Sequence, residues 1–73
     1  MNMQEELKKL GKAFHIARLE NDESGYDVEF EIGITQPTIS KLERGERMCR
    51  IDTLLLLSDH YGYEFRLVKK CES

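Results

Sequence analysis

One stretch of this chain leaves little choice of conformation. It runs Gly33-Ile34-Thr35-Gln36-Pro37-Thr38-Ile39-Ser40-Lys41-Leu42-Glu43-Arg44-Gly45 and holds the only proline of the sequence. Thr35 has a side chain suited to a helix N-cap. Pro37 comes next in the first turn, where its missing N–H is tolerated. Gly45 stands where a helix stops at its C-cap. Between these ends Ile39 and Leu42 lie three apart and supply an inward face, while Thr38, Lys41 and Arg44 repeat at the same interval on another. The spacing predicts a short helix with sharp ends, one apolar side and one polar, basic side.

The flanking sequence supplies partners for it. Residues 3–20 read as a helix, with Leu7, Leu10, Phe14 and Ala17 on one face. Gly11 costs that helix roughly 1 kcal/mol unless close packing offsets it. Asn21 through Gly25 form a loop, and Ser24 is placed to cap a helix after it. Residues 26–34 are ambiguous. Val28 and Ile32 are four apart, which suits a short helix. Yet Tyr26, Val28, Phe30, Ile32 and Ile34 alternate strictly with Asp27, Glu29, Glu31 and Gly33, and local pattern alone predicts a strand. Residues 46–50 form a basic loop. Residues 51–61 read as a second strong helix, with Ile51, Leu54, Leu55 and Tyr61 inward. Leu56 and Leu57 carry apolar character round the cylinder, too far for one face of a small surface helix. After Gly62, residues 63–69 alternate like a strand with Tyr63, Phe65 and Leu67 on one side. Such a strand needs a partner for its backbone groups. The candidates are residues 26–32 and a second copy of the same strand in a dimer.

Length and charge bound the function. The 73 residues allow one domain, spanning 1–73. A chain this short buries only ~60 % of the surface its unfolded form exposes, which favours a second subunit. The net charge of −3 argues against nucleic acid only until it is resolved along the chain, because residues 19–34 alone carry −6 and residues 35–50 carry +2. No apolar run approaches the ~20 residues of a membrane helix, and no signal peptide is visible, so the expected location is the cytoplasm. Cys49 and Cys71 form no C-x-x-C pair and read as free thiols. His15 and His60 lack metal-site spacing and read as solvated or edge-of-core residues. No Gly-rich phosphate loop and no local nucleophile–base set is present, so neither an enzyme nor a cofactor is expected.

The stretch 33–45 resembles the second half of the helix-turn-helix of lambda-repressor-like (Cro/C1, XRE) regulators. The likeness continues through Ile51-Asp52-Thr53-Leu54-Leu55 and reaches back to Leu10-Gly11-Lys12 and Arg18. By that resemblance Gln36, Pro37 and Lys41 match base-reading positions, Ile39 and Leu42 the buried side, and Arg18 and Glu43 a structural ion pair. Two positions depart from the pattern. Gly25 stands where the family has a phosphate-contacting glutamine, and Glu29 where it has a small residue at the crossing of the two helices. A glutamate there is costly unless it points out or finds a partner. The conformation of 24–34 stays open between the first motif helix and extended chain.

The chemistry of the short helix agrees with that resemblance. Gln36 suits adenine bidentately, Thr38 a phosphate or a thymine methyl, and Lys41 a guanine or a phosphate. Arg44, Arg47 and Arg50 suit phosphates, as do the hydroxyls of Thr35 and Ser40 and the helix N-terminal amides. The expected fold is mainly α, a lambda-repressor-like domain of four or five helices ending in a strand at about 63–69. That ending resembles HipB-type antitoxins, whose strand pairs across a two-fold axis. Leu56, Leu57, Phe65 and Leu67 are the expected dimer residues, because a monomer would leave a strand edge and leucine surface exposed. The expected function is sequence-specific binding of a duplex DNA operator as a homodimeric repressor, with autoregulation of a toxin–antitoxin operon as its family-level form. The rival expectation is a protein-interaction module that binds a basic partner, such as a toxin, through Glu20, Asp22, Glu23, Asp27, Glu29 and Glu31.

Overall fold

Asn2 fixes the start of the first helix, its side-chain oxygen accepting from the Gln4 and Glu5 amides at 3.0 and 3.3 Å. The described residues form four helices: α1 (Met3–Glu20), α2 (Gly25–Ile32), α3 (Gln36–Glu43) and α4 (Ile51–His60). The computed structural model describes residues 2–71. Met1, Glu72 and Ser73 of the expected 1–73 domain lie outside the described residues. None of the helices is long and apolar enough to cross a membrane.

The strand expected from the alternation in 26–34 is corrected to a helix. Two local signals produce α2. Ser24 accepts from the Asp27 amide at 3.1 Å while the Asp27 carboxylate accepts from the Ser24 amide at 2.7 Å, a complete capping box. Gly33, at φ 76°, ends the helix in the left-handed conformation that glycine adopts without steric cost. The apolar residues then divide by helical spacing. Val28 is buried and Ile32 partly buried, four apart, whereas Tyr26 and Phe30 are exposed. The alternation therefore mixes two faces of a helix and marks no pleat.

The core gathers Phe14 from α1, Val28 from α2, Ile34 from the turn, Ile39 and Leu42 from α3, and Leu54 and Leu57 from α4. Leu7, Leu10, Ile32, Cys49 and Tyr61 pack around it. Gly11 lies where α1 crosses α3. A Cβ there would overlap the Leu42 carbonyl oxygen and stand 2.9 Å from that of Glu43, so the two backbones meet without a side chain between them. The inward face of α4 is Leu54, Leu57 and Ser58, the Ser58 hydroxyl donating to the Leu54 carbonyl at 2.8 Å. Ile51 and Leu55 are exposed, which corrects the expected inward stripe. Leu57 is 1 % exposed and has no surface to offer a partner, which corrects its place among the dimer residues. With four consecutive leucines, helical spacing fits more than one rotation of α4, and packing against α1 and α2 selects one.

Residues 63–71 carry no regular secondary structure. A strand exists only through a paired neighbour, and residues 26–32, one of its two expected partners, are helical. Strand pairing between these two segments is thereby excluded. The Tyr63 amide donates to the Ser58 carbonyl at 2.8 Å, and Tyr63 and Phe65 border a groove with Leu10, Ala13 and Phe14.

Candidate nucleic-acid interface

Helices α2 and α3 are joined by Gly33, Ile34 and Thr35, with Ile34 buried as the anchor of the turn. Ile39 and Leu42 bury one side of α3, which turns Pro37 and Lys41 outward and leaves Gln36, Thr38 and Ser40 half-buried at the edges. Thr35 precedes α3 as its N-cap, but its hydroxyl bonds to that of Thr38 at 2.8 Å and caps no amide. The first amide of α3 is satisfied from elsewhere. Gln36 N–H donates to the Glu29 carboxylate of α2 at 2.9 Å. Glu29, costly at a helix crossing on sequence grounds, has found a partner.

Beside α3 lies a cleft of about 320 Å³, lined by Pro37, Thr38, Lys41, Arg47, Met48, Cys49, Arg50 and Thr53. Three of these residues are cationic. The loop 44–50 and the start of α4 thus bring Arg47 and Arg50 to the polar side of α3. Arg50 approaches Asp52 at 3.4 Å on an exposed surface. Arg44 lies outside this cleft, pairs with Glu46 and donates to the Ser40 hydroxyl at 2.6 Å. That pairing holds the Glu46 carboxyl below its ordinary range. Lys41 and Arg47 form no ion pair among the described residues. Burial pushes the Cys49 thiol up, so it stays in the unreactive protonated form.

Behind the interface Arg18 and Glu43 are brought together bidentately, Nε to Oε2 at 2.8 Å and Nη2 to Oε1 at 3.0 Å. The Glu43 side chain is 8 % exposed and that of Arg18 16 %. Burial alone would raise the Glu43 carboxyl. Hydrogen bonds from Arg18 and His15, with the Arg18 charge, outweigh it and hold the group below its ordinary value. The hydrogen bond to Glu43 likewise raises Arg18. Arg18 also donates to the Glu23 carbonyl at 2.9 Å, and the Glu23 carboxylate meets His60 at 3.0 Å. His15 and His60, read from sequence as solvated or edge-of-core residues, thus each contact a carboxylate, His15 joining α1 to Glu43 of α3 and His60 joining α4 to Glu23 in the loop after α1. No sequence signal marked them, because their partners lie 28 and 37 residues away.

The acidic stretch is less uniform in space than in sequence. Glu23 is engaged by His60, Asp27 by the cap of α2 and Glu29 by Gln36. Glu20, Asp22 and Glu31 remain exposed without an ion pair among the described residues.

A short helix held by its apolar side, preceded by a tight turn from another helix and flanked by unpaired cations, is a DNA-reading arrangement. A helix-turn-helix family model matches residues 17–68. This chain belongs to the XRE-type helix-turn-helix family. The match takes in the last turn of α1, all of α2, α3 and α4, and residues after them. This helix-turn-helix protein is a DNA-binding regulator at that level, and the family is not an enzymatic one. No curated protein and no solved structure matches the chain.

Proposed function

We propose that this helix-turn-helix protein is a sequence-specific repressor that reads a duplex DNA operator with α3. The observation that carries the reading is the pairing of an outward Lys41 with Arg47 and Arg50 around one cleft, while Lys41 and Arg47 keep no internal partner among the described residues. In this reading α3 enters the major groove. Gln36, Pro37, Thr38 and Lys41 meet base edges. Thr35, Ser40, Arg44, Arg47 and Arg50 contact phosphates, which fix register and carry no sequence information. Arg44 contributes less than Arg47, because Glu46 already neutralises much of it.

The reading includes a homodimer. Leu55, Leu56, Phe65 and Leu67 are exposed large apolar side chains on α4 and the segment after it. Residues 63–69 of two copies would supply each other with the neighbour that a strand requires, as in HipB-type antitoxins. A two-fold dimer reads half-sites about one helical turn apart. Its family-level role is autorepression of a toxin–antitoxin operon, in the cytoplasm.

Binding-site selection from a genomic DNA pool tests the reading. The protein enriches a sequence with two related half-sites. Gln36→Ala with Lys41→Ala abolishes that enrichment and leaves the helical content intact. A selection that enriches nothing ends the hypothesis.

One observation favours a second reading. Tyr26 and Phe30 are 70 % and 89 % exposed on α2, beside Glu31. An aromatic pair next to an acid fits a basic protein partner, a toxin among them. DNA affinity against salt separates the two. A DNA reader loses affinity steeply as salt rises, in proportion to the phosphates it neutralises, whereas an interaction module alone has no DNA affinity to lose.

A further inference from the structure

The two positions at which this chain departs from its family pattern meet at one residue. Gly25 and Glu29 are four apart on α2 and therefore share a face. Glu29 accepts the Gln36 backbone N–H at 2.9 Å, whereas the Thr35 side chain caps no amide of α3. At Gly25 an added Cβ would stand 3.0 Å from Gln36 Cγ and 3.4 Å from its Nε2. The Gln36 side chain thus lies along the bare backbone of Gly25, in space that any other residue would fill. One departure opens that space and the other holds the amide at its base.

We infer that Gly25 and Glu29 are specificity-positioning residues that preset Gln36 for one base pair of the operator. A bidentate contact between a glutamine amide and adenine requires donor and acceptor to be placed together. A side chain already restrained loses less freedom when it binds. The Glu29 carboxylate also sits at the N-terminus of α3, where the helix dipole would otherwise attract a phosphate. That occupation leaves the Gln36 backbone amide unavailable to a phosphate and its side chain free for a base. The inference rests on the DNA reading proposed above.

Binding-site selection, then titration on single-base operator variants, tests it, using the full chain and its Gln36→Ala, Glu29→Ala, Glu29→Gln, Gly25→Ala and Lys41→Ala forms. Glu29→Ala and Gly25→Ala each lower discrimination about tenfold at the base pair that Gln36→Ala flattens. Preference at the base pairs that depend on Lys41 stays within about twofold. Glu29→Gln keeps the discrimination, because its amide oxygen still accepts from Gln36 N–H. Gly25→Ala folds, since the atoms nearest the new Cβ belong to the Gln36 side chain, which can turn aside. Selected sequences identical to those of the parent, or a flattening of every position alike, overturn the inference. So does a loss in Glu29→Gln as deep as in Glu29→Ala. A selective parent with unchanged variants removes this inference alone, and a parent that selects nothing removes the DNA reading and this inference together.

Discussion

Glu43 shows how one residue links the binding helix to the rest of the molecule. It ends α3 and holds Arg18 and His15 of α1 through both carboxylate oxygens. Arg18→Ala leaves that carboxylate mostly buried with only His15 beside it. The expected loss is about 3 kcal/mol in urea unfolding, typical of a buried pair stripped of one member. The pH dependence comes from the depressed Glu43 value. The group contributes stability that is present above its ordinary value of 4.5 and is lost as pH falls through the lower folded-state value. Acid unfolding of Glu43→Gln should therefore lack that part of the decline, with a lower plateau near neutrality, measured by helical content against pH. At the interface, Arg47→Ala should weaken binding to all sequences alike and reduce the slope of log affinity against log salt by about 1. A slope unchanged by the substitution would remove Arg47 from the phosphate contacts. The Arg18–Glu43 pairing was legible from resemblance. The histidines were not, since their partners are set by how α1 meets α3 and how α4 meets the loop after α1.

At the scale of elements, contact between helices outweighs the preferences of each alone. Gly11 lowers the intrinsic stability of α1, and alanine would raise it by about 1 kcal/mol in an isolated helix. In the protein that methyl group would meet two backbone oxygens of α3, which have no side-chain torsion with which to yield. Gly11→Ala should therefore destabilise by about 2 kcal/mol, a Tm fall on the order of 10 °C in thermal denaturation. An unchanged or higher Tm would mean that α1 and α3 are not in backbone contact. The second helix teaches the converse lesson. Alternation over 26–34 favoured a strand, and the decisive information lay at the ends, in Ser24 with Asp27 and in Gly33. Period-two and helical patterns overlap in so short a segment. Ends that demand particular side chains do not overlap in this way.

For the whole molecule, the net charge of −3 hides a division of labour. Three of the six acidic residues in 19–34 serve the fold, while Lys41 and Arg47 stay unpaired beside α3 among the described residues. In the proposed DNA reading, specific affinity rests on a small basic patch, with little non-specific attraction to DNA. The proposed dimer belongs to this scale. Sedimentation should give about twice the 8.6 kDa chain mass. Leu56→Glu with Phe65→Glu should return it to one chain and weaken operator binding, while helical content persists because both side chains are exposed in the single chain. A parent protein that sediments as one chain at all concentrations would sink the dimer.

Local sequence was enough for the existence and ends of α1, α3 and α4, because caps, proline, glycine and apolar spacing act within a few residues of one another. It was enough also for the basic side of α3, because burying Ile39 and Leu42 leaves Lys41 no other direction. Tertiary structure decided the rotation of α4 that buries Leu57 in place of Leu55, and the partners of Glu29, His15 and His60. Each of these depends on which surfaces meet across the chain, and four leucines in a row or a lone glutamate carry no record of what will face them. The short capped helix at 36–43 could be read from its own residues, but the neighbours of Gln36 at its first turn, Gly25 beside its side chain and Glu29 on its backbone N–H, come from another helix.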